Sequence, residues 1–357
     1  MIDVKELTAK INELAEGMRP TTVMEVCGTH THAIMKYGIR QLLPRNIRLV
    51  SGPGCPVCVT SQADIARALT VASRKNVIFM CFGDMMRVPC GKKSLLSLRD
   101  SGADVRIADS PMAALRVARE NPSRDVIWYG VGFETTAPAT AAAADAALQT
   151  GVRNFSILSA HKTMPAALRA LLGKGSRVDA LLCPGHVATI IGSDAFRFVA
   201  DELKKPAVIA GFGAQEILAA LAIITAMIKK GEVRCVNAYP TAVTASGNEA
   251  AMKLLLRVFE PCDAQWRGLG VIPESGLALK GEYKALDTAT RFDLFDNIHV
   301  PDDDRGCICA SVLRGDAEPE NCPNFGVACT PTTPLGPCMV SGEGSCAAAY
   351  AYGGSRV

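Results

Sequence analysis

The chain has 357 residues, 49% of them hydrophobic and 20% charged, with a formal net charge of +3. That length calls for two or three domains, and the apolar fraction is ample for their cores. A near-neutral balance without a basic run excludes the electrostatic footprint of nucleic-acid or anionic-membrane binding. The longest apolar run, Ile217 to Ile228, stops at Lys229-Lys230 and is too short to span a bilayer. The first twenty residues, MIDVKELTAKINELAEGMRP, read as an amphipathic helix carrying acids and lack an apolar export core. A cytoplasmic location is therefore expected, and there the fourteen cysteines point to metal binding or thiol chemistry rather than a static disulfide framework.

Between about residues 20 and 240, β-rich runs alternate with helical ones. The expected strands are Thr22–Val26, Ile47–Val50, Val77–Cys81, Val105–Ala108, Val126–Val131, Phe155–Ser159, Ala180–Cys183, Val208–Gly211 and Arg234–Asn237. Helices are expected over Ser61–Ser73, Pro111–Glu120, Ala137–Gln149, Pro165–Leu172 and Gln215–Lys229. Strict alternation means βαβ units and parallel sheets covered by helices. The expected class is α/β: two parallel-sheet lobes facing a cleft, plus a small cysteine-rich domain at the C-terminus. The cut between lobes is placed near Asn121-Pro122-Ser123, giving lobe I over 1–122, lobe II over 123–261 and the third domain over 262–357. Ligands of such sheets bind at the carboxyl ends of the strands.

Five stretches carry residues capable of chemistry. In MEVCGTHTHAI (24–34), Cys27 ends a strand, and His30 and His32 fall in the first turn of a helix, pointing in different directions. A thiolate with one imidazole beside it suits an open metal site or a nucleophile with its base; the alternative is a buried cysteine with a histidine cap. In SGPGCPVCVTSQAD (51–64), a Gly/Pro turn delivers Cys55 and Cys58 at a strand-to-helix junction, with Thr60 or Ser61 as the cap of the next helix. That spacing suits a thioredoxin-type redox dithiol, or half of a zinc site. GVGFETTAP (130–138) and CPGHV (183–187) set Glu134, Cys183 and His186 in loops after strands. Each could be only a salt-bridge partner, a core residue or a cap. Cys81, Cys90, Cys235 and Cys262 show no pattern and read as packing residues.

The tail differs in kind. Residues 301–357 hold six prolines, eight glycines and eleven large apolar side chains, too few for a self-sufficient core. Cys307, Cys322, Cys329 and Cys346 follow the spacing C-x14-C-x6-C-x16-C, with Cys309 and Cys338 in addition. Four thiolates can hold a [4Fe–4S] cluster or a zinc ion, and either would staple the segment. Short CxxC knuckles and histidines typical of structural zinc are absent from the tail, which favours the cluster. A spare pair of thiols then remains beside it.

As a set, CGTHTHAI (27–34), GPGCPVC (52–58), GFETTAP (132–138), PGHV (184–187) and the tail from Cys322 to Tyr350 resemble the HypD family of [NiFe]-hydrogenase maturation factors. The likeness runs from about residue 20 to the end, and the combination is far more specific than any single motif. One small departure is Ala310, where glycine is expected after Cys307-Ile308-Cys309. The resemblance implies a [4Fe–4S] cluster on Cys307, Cys322, Cys329 and Cys346. It also implies a redox pair at Cys309 and Cys338, and a second dithiol at Cys55 and Cys58 in exchange with it. Cys27 would hold an iron being dressed with cyanide and carbon monoxide, with His30, Glu134 and His186 donating hydrogen bonds or protons. The implied role is a scaffold for the Fe(CN)2CO unit, working with a HypC-type small chaperone and a HypE-type cyanide donor and serving the hydrogenase large subunit indirectly. Cyanide transfer from a sulfur carrier consumes electrons, which two dithiols and a cluster can supply. The competing expectations are a cluster-dependent thiol–disulfide reductase, and a zinc-stapled binding protein without redox activity.

Overall fold

A computed structural model describes residues 3–294, 298, 300 and 306–353. Eleven strands are present among them: β1 (Thr21–Glu25), β2 (Ile47–Ser51), β3 (Val77–Cys81), β4 (Val105–Ile107), β5 (Asp125–Gly130), β6 (Phe155–Ser159), β7 (Ala180–Cys183), β8 (Ala207–Ile209), β9 (Cys235–Asn237), β10 (Phe259–Trp266) and β11 (Gly270–Leu279). All nine strands expected from the sequence form, within a residue or two of their expected ends.

They make two parallel sheets and one antiparallel ribbon. The first sheet has the order β2-β1-β7-β8-β9 and the second β4-β3-β5-β6, while β10 and β11 make a separate two-stranded ladder. Every pairing within the two larger sheets is parallel, with β1 meeting β2 at Thr21↔Ile47 and β7 at Val23↔Ala180. Helices cover both faces, so central strands such as β3 are buried at every position. The ribbon, wet on one side, alternates instead: between buried Phe259 and Trp266, β10 reads half-buried and exposed in turn.

This topology corrects the domain boundaries. A cut between residues 122 and 123 falls inside the second sheet, because β3 pairs with both β4 and β5. Strands β7, β8 and β9, assigned above to lobe II, belong to the first sheet beside β1. The chain lays down β1 and β2, crosses to build the whole second sheet, then returns. A cut at 261/262 falls within β10, whose Phe259 packs with Leu277, Leu279 and the helix Ala137–Gln149 in the core of the second lobe. Alternating βαβ units look alike in sequence whichever sheet receives them, so only long-range pairing decides membership.

The cysteine-rich tail lies against the first lobe. Arg40 bonds Glu318 at 2.8 Å, Arg48 donates to the Gly315 carbonyl at 3.2 Å, and the Tyr352 ring meets His32 edge-on at 5.0 Å. No helix among the described residues is long and apolar enough to cross a membrane.

Candidate functional site

Cys27 is the residue at which β1 turns into the helix Gly28–Lys36, and its backbone is extended there. Gly54 runs directly beside it: a Cβ on that glycine would lie 2.2 Å from the Cys27 nitrogen, so only glycine lets the two loops touch. The Gly28 N–H donates to the Gly54 carbonyl at 3.0 Å, locking the contact. Thus the CGTH and GPGCPVC stretches, 27 residues apart at Cys27 and Gly54, form one double loop at the carboxyl ends of β1 and β2.

Beneath it lies a carboxylate that the motif reading passed over. Glu25 is fully buried; its Oε2 accepts the Cys27 N–H at 3.0 Å and its Oε1 accepts the Thr31 hydroxyl at 2.5 Å. Burial raises its pKa, opposed by bonds from Ser51, Thr31 and Cys27 and by the charge of Arg40. The visible signal was an acid at the inward end of an otherwise apolar strand, where an unpaired charge would be costly.

The Cys27 thiol is driven up to about 12, chiefly by burial, while the facing backbone of His30 pulls it down and Glu25 and Glu343 push it up. It is a neutral thiol at rest, and a cation that binds it must displace the proton. His30 is buried and its Nε2 donates to the Gly211 carbonyl at 2.9 Å. That bond fixes the tautomer and leaves Nδ1 as a buried lone pair with no partner. Burial lowers its pKa to about 4, so the imidazole is neutral. Phe212 lies between His30, at 4.8 Å, and His186, at 4.0 Å between ring centroids. His186 is exposed, and its Nδ1 lies 3.4 Å from the Thr29 hydroxyl, which donates to Glu343 at 2.8 Å. The tail thereby supplies a carboxylate directly over Gly28. His32 faces elsewhere, toward the Gly342 carbonyl and the Tyr352 hydroxyl, as its spacing from His30 required.

The thiols form the second part of the site. Cys55 caps the four-residue helix Pro56–Val59, its sulfur accepting the Cys58 N–H at 3.3 Å. Burial pushes Cys58 up, but the sulfurs of Cys338 and Cys55 outweigh it and bring the thiol to about 6. Cys55 moves the other way, well above its ordinary value, through burial and the thiolate character of Cys58. Cys338 contacts Cys58, Cys346 and Cys309, the last at 2.9 Å between sulfurs. Two dithiols expected from sequence are therefore in sulfur contact, although 280 residues separate Cys58 from Cys338.

Cys307, Cys309, Cys322, Cys329, Cys338 and Cys346 line one cavity whose other walls include Ile308, Val312, Phe325 and Met339. The Leu335 N–H donates to the Cys329 sulfur at 3.3 Å. Among the described residues no three His, Cys, Asp or Glu side chains converge as a single metal ion would require. The sulfurs instead border a space with apolar walls.

The remaining candidates sit apart. Glu134 is buried in the second lobe and its Oε1 accepts the N–H of Met164 at 2.9 Å, capping the helix Met164–Leu172; its Oε2 has no partner. Burial brings its carboxyl to about 7. His161, unmarked by any motif, is buried in the same lobe, with Nε2 3.0 Å from the Thr140 hydroxyl and the pKa lowered to about 4 by burial. Cys183 ends β7 in the core, and Cys81 lies 3.7 Å from the Met86 sulfur, both with thiols raised by burial.

The fold and the site together define the class: a two-lobed α/β protein whose first lobe presents a buried cysteine beside a CxxC pair, with a cysteine-rich tail closed over it. The model of the HypD family, described as the hydrogenase formation hypA family, matches residues 3–353. The hydrogenase maturation factor HypD of Escherichia coli K12 is 43% identical over 353 residues, covering 98% of this chain and 93% of that protein. HypD of Azotobacter vinelandii is 42% identical over 360 residues, covering 99% and 94%. A putative hydrogenase expression/formation protein of Methanocaldococcus jannaschii is 41% identical over 353 residues, covering 98% and 97%. The chain belongs to the HypD family of hydrogenase maturation factors.

Proposed function

We propose that this chain is the scaffold on which the Fe(CN)2CO unit of [NiFe]-hydrogenase is assembled, with Cys27 as the ligand of the incoming iron. The observation that carries the reading is the double loop: Gly54 brings the Cys55/Cys58 dithiol against the backbone of Cys27. A soft thiolate with open positions suits low-spin iron that takes diatomic ligands. Releasing cyanide from a thiocyanate-type carrier takes two electrons and leaves the carrier's thiolate. The Cys55/Cys58 dithiol can give those electrons, becoming a disulfide and releasing two protons. The cyanide source is then a HypE-type donor, and a HypC-type chaperone carries the finished unit toward the hydrogenase large subunit.

Each chain residue has a task in this reading. Glu25 holds the Cys27 backbone in the extended conformation that directs its side chain out of the strand end. The neutral His30, with its bare Nδ1, and the Thr29–Glu343–His186 chain accept or hold protons around the thiol. Cys307, Cys322, Cys329 and Cys346 fit a [4Fe–4S] cluster, because they line one cavity with apolar walls and Cys329 accepts a backbone N–H. Such a cluster, when bound, supplies single electrons. Cys309 and Cys338 form the intermediate pair, in contact with Cys58.

The cluster-dependent reductase reading shares the dithiols but gives no task to the Cys27–Gly54 contact or to Glu25. An infrared spectrum of the protein, purified without oxygen after co-production with its maturation partners, separates the two. Metal-cyanide and metal-carbonyl bands that vanish in Cys27→Ala support the scaffold. A brown protein lacking such bands, with partners present, sinks it and favours the reductase.

A further inference from the structure

A cavity of about 590 Å³ lies at the carboxyl ends of β5 and β6, roofed by the β10–β11 ribbon, and has no part in the scheme above. Parallel sheets hold their ligands at that end, and the volume suits a metabolite-sized molecule. Lys162 forms the floor. It follows β6, its N–H donates to the Gly132 carbonyl at 3.0 Å, and it makes an antiparallel bridge with Gly276 of β11. Its side chain is 3% exposed; Nζ bonds Asp64 at 3.3 Å and lies 5.9 Å from the centroid of the Trp266 ring. Arg67 bonds the other oxygen of the same carboxylate at 3.2 Å.

Two cations therefore share one carboxylate, which leaves a net positive charge at the floor. A buried cation is costly unless an anion answers it, and Lys162 gives only one of its three protons to Asp64. Tyr129 borders the same space; it is fully buried, and its hydroxyl has no hydrogen-bond partner among the described residues. Burial and the charge of Asp64 push its pKa well up, so it keeps its proton. The other acids along the cavity have local tasks. Glu260 pairs with Lys284 at 3.6 Å, Asp263 accepts the Glu274 N–H at 3.1 Å, and Asp287 caps the helix Thr288–Arg291. Leu158, Leu277 and Leu279 add apolar wall.

We propose that this cavity binds a small organic carboxylate, whose oxygens accept protons from Lys162 Nζ and the Tyr129 hydroxyl while its carbon chain lies on the leucines. One net positive charge at the floor matches one carboxylate. Inorganic phosphate would bring surplus negative charge that no group there neutralises. Cys262 stands over the floor and lines the cavity. It pairs across the ribbon with Gly276, the residue that bridges to Lys162, and a Cβ on Gly276 would lie 3.0 Å from its sulfur. The site is independent of the iron-scaffold reading, since it uses none of the residues assigned there.

The test labels the full chain, purified without oxygen, with iodoacetate and with its neutral counterpart iodoacetamide, each at trace extent. In both reactions the Cys262 thiolate displaces iodide and a C–S bond forms, so the ratio of the two rates cancels the reactivity of the thiol itself. Mass spectrometry reads the tryptic peptide 258–267, in which Cys262 is the lone cysteine. Labelling of Cys262 by iodoacetate is expected to saturate with concentration, and labelling by iodoacetamide to stay linear. Lys162→Met is expected to lower the rate ratio about tenfold, through loss of a charged hydrogen bond, and Tyr129→Phe about threefold, through loss of a neutral one. Tyr129→Phe removes an oxygen with no bond among the described residues, so it carries the test if Lys162→Met does not fold. Butyrate is expected to protect Cys262 from iodoacetamide, and inorganic phosphate at the same concentration to leave it unprotected. A linear iodoacetate rate with the ratio unchanged in the variants overturns the site, and so does a Cys262 that neither reagent reaches. Protection by phosphate equal to that by butyrate overturns the carboxylate assignment.

Discussion

At the carboxyl ends of β1 and β2 the chain carries thiols that face the cysteine-rich tail. At the carboxyl ends of β5 and β6 it carries Glu134 and His161, which face their own lobe. The two sheets share parallel pairing, helical cover and strand–loop–helix joints, so the difference lies in how each loop meets its polar groups' needs. In the second lobe Glu134 Oε1 accepts the Met164 N–H and His161 reaches Thr140, so both serve local structure. In the first lobe Glu25 takes the load beneath, bonding the Cys27 N–H and Thr31, which frees the Cys27 sulfur from any structural duty. In the scheme proposed above a buried carboxylate below the site, and not the conspicuous glutamate of a motif, does the positioning.

Four substitutions or titrations test that contrast, beginning with the greatest effect. Cys27→Ala is expected to abolish the metal-carbonyl and metal-cyanide infrared bands and hydrogenase maturation in cells, since the other buried sulfurs of the double loop, Cys55 and Cys58, are taken up by the dithiol. Glu25→Gln should leave the chain folded yet weaken iron retention about 10- to 100-fold, the usual cost of losing a group that orients a metal ligand. Metal content after anaerobic gel filtration reads this directly, and wild-type retention would remove Glu25 from the site.

Cys58 should alkylate with a rate that rises to a plateau just above pH 6, while Cys55 stays unreactive well beyond neutrality. The plateau should move upward in Cys338→Ser, because contact with that sulfur lowers the Cys58 thiol. An unchanged profile would mean that the two dithiols are not in contact.

The smallest effect on maturation is expected at Glu134. Its carboxyl titrates at about 7 in the folded chain against 4.5 for an ordinary glutamate. The folded state therefore holds this proton more tightly than the unfolded state. Its contribution to stability is full below pH 4.5 and is lost as pH rises to about 7, a span of 2.5 units that amounts to about 3 kcal/mol at most. Glu134→Gln, which keeps an acceptor for Met164, should remove that loss and raise the melting temperature at pH 8 relative to wild type. Maturation should survive. Lost maturation with an unchanged pH–stability curve would return Glu134 to the site.

Much of the architecture was legible in single residues. Period-two and continuous apolar runs gave nine strands, because parallel strands buried on both faces must be apolar throughout. Ser61 caps the helix Gln62–Ala72 through the Asp64 N–H at 3.0 Å, as its position before an apolar period required. The ribbon escaped notice because β10 contains Pro261 and β11 Pro273, residues that read as breaks in a strand but are tolerated at the edge of a two-stranded ribbon.

By itself, then, the sequence determined the strands and the α/β class of the fold and marked the candidate thiols, since periodicity and cysteine spacing are local properties of the chain. Tertiary structure alone decided which sheet each strand joined, that Gly54 touches Cys27, that Cys58 meets Cys338, and that Glu25 and Glu343 supply the carboxylates around the thiol. Those outcomes depend on pairings across tens to hundreds of residues. They are fixed by burial and hydrogen-bond satisfaction in three dimensions, which leave no periodic trace along the chain.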